Sequence, residues 1–255
     1  MRALVTTFYR VNPVAKLAAA LAIGLCLVLT IDWVSAAVAL ALELVACVAL
    51  RVPPRVFWTR TAVVWIAAPL TAVTIALYGQ PSGHVYFEFS LASVTEGSLA
   101  LALATGLRVL AIGLPAVVLF IGIDATELAD SLAQRVRLPG RFVFGALAGF
   151  RLVGLFGDDW RSVALARRAR GVADNGRMGR MLGQGFALLV LAIRRGSILA
   201  TAMEARGFGA ATARTWARSS PWGAGEWLVA ASGFAVGAVA IAASVVAGTW
   251  NFIVG

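Results

Sequence analysis

The feature that most constrains this sequence is the length and spacing of its apolar runs. Residues 14–31, 34–50, 61–78, 98–121 and 226–253 form five such runs. Each reaches the length at which a helix crosses hydrocarbon, about 17–25 residues. In lipid a backbone amide finds no water, so each spanning segment must satisfy its own hydrogen bonds, and a helix does this. Only 13% of the 255 residues are charged, against about a quarter in a soluble domain. These observations predict an all-α membrane protein with about five transmembrane helices.

The basic residues orient the runs. The formal net charge is +10, and Lys16 is the only lysine. Arg2, Arg10 and Lys16 lie at the N-terminus, and Arg51, Arg55 and Arg60 follow the second run, where Pro53-Pro54 predicts a break. The turn at Asp32-Trp33 and the polar segment 79–97 carry no Lys or Arg. Basic segments stay on the cytoplasmic side, so the N-terminus is expected inside and segment 79–97 outside a prokaryotic inner membrane. Cleavage after Val34-Ser35-Ala36 is disfavoured, because more apolar sequence follows at once and the first two runs read as a helical hairpin.

Between the fourth and fifth runs, residues 124–218 hold fifteen arginines and seven acids, interleaved with Leu, Ala, Val and Phe at helical spacing. The pattern predicts about three amphipathic helices in a cytoplasmic module, at 124–137, 141–170 and 180–206. Pro139-Gly140, Gly171 and Gly207 serve as stops. Charge interrupts each apolar face, so these helices should lie on the membrane surface or against partners. The expected organisation is residues 1–121 for the first four spans, 122–218 for the module and 219–255 for the last span.

Several functions are excluded or disfavoured. The arginines fall between apolar runs, which the positive-inside rule explains better than nucleic-acid binding. Cys26 and Cys47 sit within apolar runs, and His84 is the single histidine, so a protein zinc site is not expected. A phosphate-binding P-loop needs a lysine in a Gly-x-x-x-x-Gly-Lys context, which Lys16 lacks. Asp158-Asp159 has no further acidic cluster nearby and reads as a cap or local salt bridge. No cofactor is expected on this chain. Within the spans, Glu43 and Arg108 fall at similar depth. Buried ions in lipid are costly unless paired or wetted, so these two either pair with each other or face different neighbours.

Two short motifs stand out in the module: Ala169-Arg170-Gly171 and Ala205-Arg206-Gly207. Each sets an arginine at the foot of a long helix, where the negative end of the dipole favours a cation. Alanine permits close approach, and a guanidinium can make paired, charge-assisted bonds to a carboxylate. The alternative is a headgroup arginine followed by a capping glycine.

These motifs, with others in the same order, resemble the transmembrane T component of energy-coupling factor (ECF) transporters, including the T subunits of cobalt and biotin importers. Asn12-Pro13-Val14-Ala15-Lys16-Leu17 is similar to that family's approach to its first helix, and Glu127-Leu128 leads to Leu138-Pro139. The arginine-studded helix ending at Ala169-Arg170-Gly171 follows, then Met203-Glu204-Ala205-Arg206-Gly207-Phe208-Gly209. Asp124-Ala125-Thr126 departs from the adjacent hydroxyl residues of many relatives. The resemblance implies a non-catalytic coupling subunit for vitamin or transition-metal-ion uptake. Arg170 and Arg206 would each dock one of two cytoplasmic ABC-type ATPases, which would carry the ATP and Mg. A membrane-embedded substrate-capture subunit, the S component, would bind the module's apolar faces. The competing class is a self-sufficient secondary transporter or channel, which requires a polar site within the spans. Only Glu43 and Arg108 are available for one.

Overall fold

A computed structural model describes residues 11–79, 82–89, 92–171, 176–209 and 215–250. Arg2 and Arg10, and the end of the run predicted to reach 253, lie outside the described residues. The chain divides into two compact units, residues 1–124 with 221–255, and residues 125–220. Eight helices and one two-stranded hairpin are present among the described residues, as expected of an all-α membrane protein.

The first unit begins with α1 (Pro13–Val28). Proline suits the first helical position, where its missing N–H would have no partner. The Asn12 carboxamide oxygen accepts from the Val14 N–H at 3.0 Å, and its Nδ2 donates to the Pro221 carbonyl at 3.1 Å. One side chain thus caps α1 and ties it to the segment that leads into the last helix. Helix α2 (Trp33–Ala49) starts at Asp32, which accepts from the Ser35 N–H at 2.7 Å and the Ser35 hydroxyl at 2.6 Å.

Helix α3 (Pro54–Tyr78) begins seven residues before the predicted run, so Arg55 and Arg60 belong to it. The proline pair starts this helix: Pro53 is its N-cap and Pro54 its first residue. Strands β1 (Val85–Phe89) and β2 (Ala92–Thr95) pair antiparallel in the segment predicted only as polar. Thr95 then caps α4 (Glu96–Val118). Its hydroxyl accepts from the Ser98 N–H at 3.2 Å, while the Ser98 hydroxyl accepts from the Thr95 N–H at 2.9 Å. The reciprocal bonds satisfy two N–H groups that a helix start leaves open. The last helix of the unit, α8 (Ala224–Val246), ends before the predicted boundary, with Gly248 at φ +67° just beyond it.

Small residues bring these helices together. A Cβ on Gly233 would fall 2.4 Å from the Ala19 carbonyl oxygen and 2.5 Å from its Cα, and one on Gly237 would fall 2.6 Å from the Cys26 sulfur. Helices α1 and α8 therefore meet almost backbone to backbone, the usual solution where lipid gives no hydrophobic drive between helices. Gly106 lies similarly against Ala72, and Gly113 against Val64, where α4 packs on α3. Ile23, Leu27, Ala39, Ala111 and Ala240 form the buried centre, contributed by α1, α2, α4 and α8.

The second unit contains α5 (Ala125–Gln134), α6 (Gly140–Ala169) and α7 (Arg177–Ala205). Helix α5 stops three residues short of its predicted end, because Arg137 takes a left-handed backbone at φ +59° before Pro139. Ala129 and Ala133 of α5 pack against Val143 of α6. Helix α5 also holds the segment that closes the unit. Gln134 donates to the Arg218 carbonyl at 2.8 Å and accepts from the Ser220 N–H at 2.9 Å, and Arg135 donates through Nε to the Ser220 carbonyl at 2.8 Å.

Among the described residues, five helices are long and apolar enough to cross a membrane: α3, α4, α6, residues Met178–Ala205 of α7, and α8. Three coincide with predicted spans, and the other two are the long helices of the expected module. Helices α1 and α2, of 16 and 17 residues, are shorter apolar helices at the lower edge of spanning length.

Replacing Gly233 with alanine should force α1 and α8 apart and cost about 1–3 kcal/mol. Gly225→Ala, on the same helix with open space around it, should change stability by no more than about 0.5 kcal/mol. Thermal unfolding of the detergent-purified chain measures both; equal midpoints would mean that the close approach at Gly233 contributes nothing.

Candidate functional site

The two Ala-Arg-Gly motifs end α6 and α7. Ala169 and Ala205 are the last helical residues, Arg170 (φ −91°, ψ 3°) and Arg206 (φ −90°, ψ 11°) are the C-caps, and Gly171 and Gly207 follow at φ +66° and +78°. A left-handed residue after a helix is costly for a side chain with a Cβ and cheap for glycine. At α7 the Gly207 N–H donates to the Glu204 carbonyl at 2.9 Å and the Phe208 N–H to the Met203 carbonyl at 2.9 Å. These bonds are the 5→2 and 6→1 pair of a Schellman stop. At α6 the corresponding bond runs from the Gly171 N–H to the Arg168 carbonyl at 3.0 Å. All six motif residues are exposed. The two stops present their arginines in nearly the same backbone geometry.

Helices α6 and α7 cross at an ion pair between Asp159 and Arg195. Asp159 is 8% exposed although it sits on a helix that is otherwise mostly open. Farther along α6, the Arg167 guanidinium lies over Gly183, which is farther back along α7; a Cβ there would meet it at 3.0–3.3 Å. The two helices therefore run antiparallel. Arg170 and Arg206 each lie eleven residues beyond the crossing on their own helix, about 16 Å of axis at 1.5 Å per residue. The antiparallel arrangement carries them to opposite ends of the pair. No residue in the most apolar 18-residue stretches of α6 and α7 is fully buried within the chain. Phe142, Phe150, Leu165, Leu182, Phe186 and Ile193 are all at least 60% exposed.

The sequence reading missed the crossing. It assigned Asp158-Asp159 to a cap or a local salt bridge, whereas Asp159 pairs with Arg195 on the next helix. No local spacing signals a contact across 36 residues. The intramembrane residues behave differently from the motifs. Glu43 and Arg108 are not brought together: both Glu43 carboxylate oxygens, and Nε and Nη2 of Arg108, are buried without a hydrogen-bond partner. Cys26 and Cys47 are free thiols. Among the described residues no group of three or more His, Cys, Asp or Glu could hold a metal ion.

Over residues 5–215 the sequence matches the family described as CbiQ, cobalt transport protein. The chain belongs to this family. Two curated relatives are similar to this CbiQ-family protein, and both bear the name energy-coupling factor transporter transmembrane protein EcfT. One, from Limosilactobacillus fermentum, is 27% identical over 185 residues, 68% of each chain. The other, from Bacillus selenitireducens, is 26% identical over 235 residues, 88% of this chain and 87% of the relative. The resemblance to ECF T components read from the motifs is thus the relationship found across the chain. Together with the apolar helices it makes this CbiQ-family chain a multi-pass membrane protein.

A double-mutant cycle on Asp159→Ala and Arg195→Ala should yield a coupling of about 0.5–1.5 kcal/mol, reduced by solvent screening because the Arg195 side chain is 39% exposed. Denaturant titration of the purified chain measures it, and additive single effects would mean that the pair does not hold the crossing.

Proposed function

We propose that this CbiQ-family protein is the transmembrane coupling subunit of an ATP-driven ECF importer. Its two long crossing helices would each dock one cytoplasmic ABC-type ATPase, through Arg170 on α6 and Arg206 on α7. The observation that carries this reading is the duplication of one device: an exposed arginine, preceded by alanine and stopped by a left-handed glycine, at each end of an antiparallel pair. A headgroup arginine needs no such matched presentation. Two nearly identical ends suit two similar partners. The name EcfT carried by both relatives supports the assignment.

The mechanism is the one that the resemblance to ECF T components implies. An acidic groove on an ATPase receives the guanidinium, and the short alanine lets the helix end enter. When nucleotide binding moves the two ATPases relative to each other, the force reaches α6 and α7 at opposite ends. The Asp159–Arg195 contact then serves as the pivot, and the angle between the helices changes. Their uncovered apolar faces hold the membrane-embedded S component, which releases a vitamin or transition-metal ion inward as the faces shift. ATP and Mg stay on the ATPases, and this chain performs no chemistry. The arginine distribution along the sequence supports a cytoplasmic N-terminus.

Co-expression of the tagged chain with its ATPases, followed by co-purification, tests this reading. Arg170→Glu and Arg206→Glu should each reduce recovered ATPase at least about tenfold at the altered end, as expected when a buried interfacial charge pair is reversed. The double variant should recover none. Full recovery of both ATPases by a correctly folded double variant would return the motifs to the role of helix caps.

A further inference from the structure

The ends of α6 and α7 share a backbone geometry but not a charge. The last four residues at the foot of α6, 167–170, hold Arg167, Arg168 and Arg170 and no acid. The same stretch of α7, 203–206, holds Glu204 and Arg206, which cancel. The nine residues after each glycine stop carry the same net charge, +1, from Asp174, Arg177 and Arg180 in one case and Arg214 in the other. The difference therefore arises within one turn of each helix, beside the arginine that the motif presents.

Packing sharpens the contrast. The Arg167 guanidinium lies over Gly183, while Arg168 and Arg170 are exposed. That contact sets the register of the antiparallel pair, so Arg180, exposed and three residues nearer the start of α7, lies level with Arg170. At the other foot Glu204 is exposed beside Arg206. Ala200 and Thr201, at the spacings where helical side chains meet, give it no cation. Among the described residues it is in no ion pair. An acid in the last turn also opposes the helix dipole. Helix stability thus accounts for the arginines of α6 but not for Glu204, which is free to meet a partner.

We propose that the two feet are keyed to grooves of different charge, an inference that rests on the reading of Arg170 and Arg206 as ATPase-docking residues. The α6 foot fits a strongly acidic groove. The α7 foot fits a groove of mixed charge, with a carboxylate for Arg206 and a cation for Glu204. Each foot repels the other's groove: an acidic groove meets Glu204 as a like charge, and the cation of the mixed groove meets Arg168 as one. Like charges set face to face are a means of rejecting the wrong partner. The charges around the motifs thus fix which ATPase surface engages which helix end.

The test titrates the full chain, held in lipid nanodiscs, with its purified ATPases at low and at high salt. Arg168→Glu should weaken binding at least about tenfold at low salt, and the loss should shrink at high salt as the charges are screened. Glu204→Arg copies the charge of the α6 foot onto α7 and should also weaken binding, at least about threefold. Two equally acidic grooves would reverse that sign: Glu204→Arg would then tighten binding, and a gain overturns the proposal. An unchanged affinity in either variant overturns it as well. Both residues are exposed, so the fold should tolerate the changes. Should a reversal not fold, Arg168→Gln or Glu204→Gln takes its place, with a smaller loss expected in the same direction. A wild-type chain that binds no ATPase is a distinct result, which removes the docking reading itself and this inference with it.

Discussion

A peptide group in hydrocarbon has no water to bond with, and the rest of this structure depends on that constraint. It forces each apolar run into a helix and makes every helix start a place where exposed N–H groups need partners. Asn12, Asp32 and Thr95 supply those partners from side chains at the starts of α1, α2 and α4. With the backbone satisfied internally, helices attract one another chiefly through close packing. Glycine and alanine therefore occupy the contacts between α1 and α8 and between α3 and α4. The first unit is accordingly built from short side chains, with Leu27 and Leu114 among its few large, fully buried ones.

The second unit solves a different problem. Helices α6 and α7 are as long and apolar as spanning helices, yet no residue of their most apolar stretches is fully buried within the chain. A helix with that much open hydrophobic surface requires cover from lipid or another protein. What the chain provides is a crossing, an ion pair at its centre and two matched ends.

Legibility varied by the range of the interaction. The ends of α6 and α7 were read closely because Gly171 and Gly207 are local signals, each needing only its own left-handed backbone. The proline pair at 53–54 was read as a break, and the structure uses it as a start, because proline permits either outcome and only the following sequence decides. The hairpin between α3 and α4 went unseen, as strands this short in a polar loop leave little pattern. That Glu43 and Arg108 lie within α2 and α4 was legible from the apolar runs. Their separation was not, since side-chain direction and the packing of α2 beside α4 determine whether the two groups meet.

The sequence by itself determined the class: long apolar runs admit only helices in lipid, and arginine-glycine pairs fix where the two long module helices stop. It also determined the family, because the ordered motifs extend along most of the chain. Only the tertiary structure decided that Asp159 meets Arg195, that α6 and α7 therefore run antiparallel with their arginines at opposite ends, and that Glu43 and Arg108 stay unpaired. The physical reason is the reach of each effect. Burial and capping act within a few residues and leave a periodic trace, whereas a crossing point or a cavity wall depends on several helices whose mutual rotation no single segment encodes.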